Sequence, residues 1–255
     1  MEIPKIIHQT WYKKDLPSSI KNNIEKIKKI NPDYEYKFYD DNDILTFIKN
    51  NCDSRTLKAY NKLTIGASKA DLFRYLILYK EGGIYLDIDS VINKNLDSLI
   101  EGKSAVISRE KNKGLLLQWM MVFCKEHPIL KKVIEKTINN ILEDKEKDII
   151  FLTGPAPYSD GIKEILNIED LWEREDNYIN NKLKENEDKK IKNTIFYGTD
   201  YKEYAEFKSK NFFQLYFFKL HWKQEQWLKN NKYYVILFLI FMLFFISYFL
   251  FLYKK

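Results

Sequence analysis

The period of the apolar positions changes several times along this chain, and each change predicts an element. Lys5-Ile6-Ile7-His8 is a short apolar run that predicts a strand, entering a loop at Gln9-Thr10-Trp11. Ile20, Ile24, Ile27 and Ile30 then recur at helical spacing behind Ser18-Ser19, residues suited to a cap, and Asn31-Pro32 ends the helix. Tyr34 to Tyr39 (YEYKFY) returns to alternation and predicts a second strand, after which Asp40-Asp41-Asn42-Asp43 caps a helix through Ile44, Phe47 and Ile48. Strand and helix in turn point to an α/β domain with a largely parallel sheet.

Further along, Ala67 to Glu81 reads as a helix stopped by Gly82-Gly83. The stretch that follows, Gly82 to Ser90 (GGIYLDIDS), reads as extended, so that Ile84, Leu86 and Ile88 share one face while Tyr85, Asp87 and Asp89 share the other. Leu115 to Cys124 and a Pro128-initiated run to Leu142 are expected to be helical. Ile149 to Thr153 is expected to be a strand, broken by Gly154-Pro155. The polar stretch from Glu173 to Lys192 reads as a surface insertion or mobile helix with no chemistry attached.

At 255 residues, with a terminal segment to subtract, the chain suits one large domain. The net charge of +6 and pI of about 8.9 come from lysines spread among acidic residues, which argues against a nucleic-acid partner and leaves an anionic ligand or a membrane. Cys52 and Cys124 lie far apart with no CxxC spacing, compatible with a reducing compartment. From Tyr233 to Tyr253 there are 21 uncharged residues, flanked by Lys232, Lys254 and Lys255 and carrying tyrosines at both ends. That pattern predicts a transmembrane helix. Because Met1-Glu2-Ile3-Pro4 leads straight into a strand-like run, the expectation is a cytosolic domain on a single-pass C-terminal anchor. The expected division is a catalytic domain over 1–210, a juxtamembrane segment over 211–232 that closes the site, and the span over 233–253.

Two neighbouring carboxylates beside an apolar core repel one another unless something offsets them. With no Cys and few His nearby, Asp87 and Asp89 make a hard oxygen site suited to Mg²⁺ or Mn²⁺, against the alternative of a solvated strand face. Asp71 and Arg74, three apart, share a helix face. They are either an ordinary surface ion pair or a grip on the hydroxyls or phosphate of a ligand.

IPKIIHQTW at Ile3 to Trp11, ASKADLFRYLILYKEGGIYLDID at Ala67 to Asp89 and TGP at Thr153 to Pro155 resemble the sugar-binding DxD glycosyltransferases of family thirty-two. That group holds yeast Golgi and inositol-phosphoceramide mannosyltransferases and bacterial capsule enzymes. More distantly, the spacing of Asp71, Arg74, Tyr85, Asp87 and Asp89 is similar to that of the large clostridial glucosylating toxins. The resemblance implies a GT-A fold, a Rossmann-like sheet that binds a nucleotide-sugar such as a UDP- or GDP-hexose together with Mn²⁺ or Mg²⁺. It implies that Asp87 contacts the ribose or metal, that Asp89 ligates the metal, that Asp71 and Arg74 hold donor-sugar hydroxyls, with Tyr85 among the donor-binding residues, and that Thr10 and Trp11 lie beside the base. Family members close the site with a His followed shortly by Ser-Trp. Here His221 is the candidate metal or phosphate contact and Gln226, before Trp227, stands where Ser is expected. The implied activity is hexosyl transfer, with retention of configuration, to a glycan or lipid-linked acceptor. Two alternatives stay open: a haloacid-dehalogenase-like phosphatase with Asp87 as nucleophile, since Asp87-Ile88-Asp89-Ser90-Val91 fits DxDx[TV], and a non-catalytic membrane adaptor.

Overall fold

The computed structural model describes residues 2–109, 115–146, 148–171, 174–197, 201, 203–207, 222–234, 236 and 242. The chain divides into two units, Met1–Leu215 and Tyr216–Lys255. The first unit opens with β1 (Ile6–Thr10), α1 (Ser18–Ile30), β2 (Glu35–Tyr39), α2 (Asp41–Asn51), α3 (Ser54–Lys62), α4 (Gly66–Glu81) and β3 (Gly83–Leu86). It continues through β4 (Ser90–Ile92), α5 (Asp97–Ile100), β5 (Ala105–Ser108), β6 (Met120–Phe123) and α6 (Pro128–Leu142). After these come α7 (Ile149–Leu152), α8 (Pro155–Leu166), α9 (Asp176–Glu185), α10 (Lys189–Lys192), β7 (Thr194–Tyr197) and β8 (Ala205–Phe207). The second unit carries α11 (Trp222–Asn230).

Six strands form one sheet in the order β2-β1-β3-β6-β5-β7. β1 is parallel to both β2 and β3, β5 is parallel to β7, and β6 is antiparallel to β3 and β5, so β6 alone runs against the other five. Both faces are buried, and the period-two rule sorts the side chains between two cores. On one face Tyr85, Ala105, Ile107, Met121 and Phe123 pack with residues of α2, α3, α4, α6, α8 and α9. On the other face Ile7, Ile84, Leu86, Val106, Met120 and Val122 pack with Ile27 of α1, Leu99 and Ile100 of α5, and Ala205 of β8. Each such aliphatic or aromatic side chain contributes about 1.5–3 kcal/mol by leaving water.

Helix α4 is apolar nearly all round because it is enclosed: Leu72 to Leu78 are all buried. It ends where Gly82 takes φ +71 and donates its N–H to Leu78 O. A Cβ on Gly82 would sit 2.8 Å from Lys125 N, and one on Gly83, at φ +100, 2.6 Å from Ile6 O. The two glycines therefore let the chain reverse tightly against β1 and enter β3.

Several expectations are corrected. β1 runs on through Thr10 where a loop was expected. α1 is capped at Pro17, which offers no side-chain cap bond, whereas Asp40 caps α2, accepting from Asn42 N and Asp43 N. Within Leu115 to Cys124 lies a strand, β6, rather than a helix: a short apolar run buried on both faces has no period to read, and pairing with β3 and β5 decides it. Ile149–Leu152 is a short helix, α7, started by Asp148, whose carboxylate accepts from Ile150 N. The polar stretch after 173 is built into the fold, because α9 buries Ile179 and Leu183 and α10 buries Ile191. Most of the apolar run 233–253 lies outside the described residues, and no helix among the described residues is long and apolar enough to cross a membrane.

Candidate active site

The chain leaves β1 towards β2 on one side and then crosses through α2, α3 and α4 to β3 on the other side of β1. The carboxyl ends of β1 and β3 thus lie side by side at a switch in strand order, the crevice where open α/β sheets bind ligands. Side chains tie the two ends together. Thr10 Oγ1 lies 3.2 Å from Tyr85 OH. Gln9 donates from Nε2 to Asp87 O (3.1 Å) and accepts from Tyr36 OH at its Oε1 (2.8 Å). Trp11, whose N–H is fixed to Tyr39 O at 3.1 Å, is partly exposed with its ring 5.1 Å from that of Tyr12.

The Asp-Ile-Asp stretch is not a continuation of the strand, as expected, but a turn. β3 stops at Leu86, and Ser90 N donates to Asp87 O at 3.0 Å. Asp87 N donates to Trp119 O (2.7 Å), and Asn23 Nδ2 holds Ser90 O at 2.8 Å. The alternation holds from Ile84 to Leu86, and the turn then sets the two aspartates by backbone hydrogen bonding rather than by the pleat. Asp89 is buried, while the Asp87 side chain keeps 25% of its exposure. β4 begins at Ser90 and pairs there with Phe207 of β8.

One turn into α4, Asp71 and Arg74 are not a surface ion pair. Their side chains are 8% and 7% exposed, with Arg74 Nη2 3.2 Å from Asp71 Oδ1. The same Nη2 donates to Asp87 Oδ1 at 3.1 Å, Nη1 donates to Gln118 O at 2.8 Å, and the guanidinium lies 4.6 Å over the Tyr85 ring. Burial pushes the Asp71 carboxyl up to about 6 against the opposing pull of Arg74. Burial likewise pushes Asp87 up to about 6, with Asp89 adding to the effect and Arg74 resisting it. The carboxylates hold Arg74 protonated although burial works against its charge. One guanidinium thus serves two carboxylates, Asp71 and Asp87, with Asp89 close enough to Asp87 to raise its pKa further.

Asp87 and Asp89 offer hard oxygen donors, and among the described residues there is no group of three or more His, Cys, Asp or Glu that could hold a metal. That donor set fits Mg²⁺ or Mn²⁺, ions that take one or two carboxylates and complete their shell from phosphates and water. Of the residues singled out in the sequence, Thr10, Tyr85, Asp71, Arg74, Asp87 and Asp89 are brought together, and Trp11 follows Thr10 directly at the end of β1. His221 lies outside the described residues. Gln9, Asn23, Tyr75 and Gln118 were not anticipated. Tyr75, four after Asp71 on a helix, could have been found from that spacing; nothing local marks Gln118.

Residues 17–106 match the family described as "Glycosyltransferase sugar-binding region containing DXD motif", a span that includes Asp71 to Asp89 but not Thr10 or Trp11. The chain is 32% identical, over 64% of its length and 65% of the relative's, to an uncharacterized glycosyltransferase of Acanthamoeba polyphaga mimivirus. It is 37% identical to inositol phosphoceramide mannosyltransferase 3 of Schizosaccharomyces pombe over 52% of this chain and 36% of that protein. The chain therefore spans only part of the curated relatives it matches. Among solved structures, the PaToxG glycosyltransferase superposes with a TM-score of 0.54 at 23% identity, covering 64% of this chain and 70% of that one, a likeness of fold. The mixed, parallel-rich sheet is consistent with the GT-A fold expected from the sequence.

Proposed function

We propose, from a chain whose residues 17–106 are a DXD sugar-binding region of the glycosyltransferases, that this protein transfers a hexose from a nucleoside-diphosphate sugar to a glycan or lipid-linked acceptor. The observation that carries the reading is the junction at the sheet's switch point. There the Asp87-Ile88-Asp89 turn, the Arg74 guanidinium 3.1 Å from Asp87 and Thr10 beside Tyr85 converge on one crevice edge. In this reading Asp87 and Asp89 hold Mn²⁺ or Mg²⁺, which when bound supplies Lewis-acid stabilisation of the departing diphosphate. Asp71 and Arg74 serve the donor-sugar side, and Thr10 and Trp11 serve the base. His221 is assigned to the metal or phosphate from the resemblance alone. Retention of anomeric configuration and attachment to a membrane through 233–253 belong to the same proposal.

Relatives named as inositol phosphoceramide mannosyltransferases make mannose the first donor sugar to test and a glycolipid the first acceptor. The phosphatase reading, with Asp87 as nucleophile, is the alternative; Arg74 engages one of the two Asp87 carboxylate oxygens, Oδ1. The test is a thermal-shift and turnover screen of UDP- and GDP-hexoses with and without Mn²⁺. Metal-dependent stabilisation and turnover by one nucleotide-sugar support the reading. Stabilisation by an aspartyl-phosphate mimic, with no nucleotide-sugar effect, would replace it with the phosphatase.

A further inference from the structure

Asp71 and Arg74 belong to a closed ring of hydrogen bonds. Arg74 Nη2 pairs with Asp71 Oδ1 at 3.2 Å. Asp71 Oδ2 accepts from Thr153 Oγ1 at 2.9 Å. The Thr153 carbonyl accepts from Tyr75 OH at 2.9 Å, with Gly154 O 3.1 Å from the same hydroxyl. Gln118 Nε2 donates to Tyr75 OH, and the Gln118 carbonyl accepts from Arg74 Nη1 at 2.8 Å, which returns the ring to its start. All five members are buried, Tyr75 and Thr153 completely. A polar branch from the ring reaches the aspartate pair through the bond from Arg74 Nη2 to Asp87 Oδ1.

The ring is assembled from three places in the chain: α4, the loop before β6, and the α7–α8 junction. A planar guanidinium held at Nη1 by a carbonyl, at Nη2 by two carboxylates and on one face by the Tyr85 ring has little freedom to turn. Removing one link leaves a buried partner unsatisfied and frees its neighbours.

We infer that Thr153, Tyr75 and Gln118 are positioning residues for the transfer reaction: they lock the Asp71–Arg74 pair, and through it the Asp87 carboxylate, in the geometry the donor meets. Thr153 is the decisive link, because its hydroxyl orients Asp71 while its carbonyl receives Tyr75. The inference rests on the glycosyltransferase reading for its effect on turnover, though not for the ring itself.

The test compares the parent with Thr153→Val, which keeps the shape and removes the donor, and with Thr153→Ser, which restores it. Two readouts are taken, and the first needs no substrate: the rate of Arg74 guanidinium rotation by nitrogen-15 NMR. Thr153→Val is expected to speed the rotation and Thr153→Ser to return it to the parental rate. The second readout is turnover with the donor that the screen identifies. Here kcat is expected to fall about tenfold to a hundredfold in Thr153→Val, as for a small misplacement of a reacting group, and to recover within about threefold in Thr153→Ser. Tyr75→Phe is expected to act in the same direction on both readouts. Unchanged rotation in Thr153→Val and Tyr75→Phe overturns the ring. Faster rotation with parental kcat overturns its positioning role. A parent that turns over no nucleotide-sugar, with the rotation effect intact, refutes the functional reading while leaving the ring in place.

Discussion

The molecule buries polar groups in two contrasting ways. Around the buried His8 and His127 every demand is met by the protein. His127 Nε2 donates to Lys190 O, with Thr194 Oγ1 also 3.1 Å away, and its Nδ1 accepts from Ile129 N at the start of α6. His8 Nε2 donates to Gly82 O at 2.9 Å while Nδ1 faces Tyr39 OH at 3.1 Å. Burial lowers both to about 4, so each imidazole is neutral near pH 7. At the crevice beside the carboxyl ends of β1 and β3 the opposite holds: Asp71 and Asp87 are raised to about 6 and share one guanidinium. The neutral, self-sufficient clusters hold strands and helix ends in place. The charged one sets two carboxylates on one guanidinium, and groups whose ionisation is shifted in this way cluster at functional sites.

The largest effect that would break this contrast is expected at Asp89. Asp89→Asn keeps the shape and removes a charge the proposed metal site needs; a loss of about 4 kcal/mol of leaving-group stabilisation would lower turnover on the order of a thousandfold. Melting of the metal-free protein should stay level or rise, because one repulsive charge is gone. Near-parental, Mn²⁺-dependent turnover in this variant would contradict the assignment.

Arg74 comes next. Arg74→Ala strands two carboxylates against buried surroundings and is expected to lower unfolding free energy by about 3–5 kcal/mol in urea titration. Arg74→Lys should recover part of that stability and none of the turnover, since an ammonium cannot serve Gln118 O, Asp71 and Asp87 together. Equal activity in Arg74→Lys and parent would return the pair to a generic ion pair.

The two clusters also pull stability in opposite directions with pH. The histidines fall from 6.5 to about 4 on folding, so the unfolded chain binds protons first; their contribution is complete above about 6.5 and is lost as pH drops towards 4. Asp71 and Asp87 rise from 3.8 to about 6, so their contribution is present below 3.8 and is lost as pH climbs through about 6. Asp87→Asn removes one of the opposing slopes. Metal-free Asp87→Asn should therefore lose stability more steeply than the parent between pH 6 and 4, by about 1.4 kcal/mol per pH unit. Parallel pH profiles for the two proteins would show that Asp87 is not shifted. The smallest effect is expected far from either cluster: Lys136→Ala breaks an exposed pair with Glu164 and should change stability by about 0.5 kcal/mol or less.

Much of the fold was legible in the sequence before Leu99. Ile6-Ile7, the helix-spaced isoleucines of α1, the alternating YEYKFY and the Gly82-Gly83 stop carry strong local signals, and the chain obeys them. What the sequence could not supply was depth. Asp71 and Arg74 sit at a spacing common to exposed and enclosed pairs, and only the packing of α4 against the sheet decides between them. The Asp-Ile-Asp turn escaped the alternation rule because Ser90 N bonds back to Asp87 O, a choice of backbone and not of hydrophobic pattern. β6 was hidden for a related reason: Met120 to Phe123 is apolar throughout, and its strand character comes from β3 and β5, distant in the chain. Gln118 reaches the ring by virtue of that same pairing, so no local feature announces it. Thr153 was noticed within its Thr-Gly-Pro triplet, but with the wrong element around it, and its link to Asp71 depended on α7 being helical.

The central claim is that the carboxylate turn after β3, and not the histidine clusters, is a cation site completed by a nucleoside diphosphate. Paramagnetic broadening by Mn²⁺ tests it most directly. With a nucleoside diphosphate present, small additions of Mn²⁺ should broaden the backbone amide signals of Ile88, Asp89 and Ser90 first and most, leave those of Ser104, His127 and Thr194 until last, and lose this order in Asp89→Asn. Broadening that begins at the histidines, or that is the same in parent and Asp89→Asn, would contradict the account.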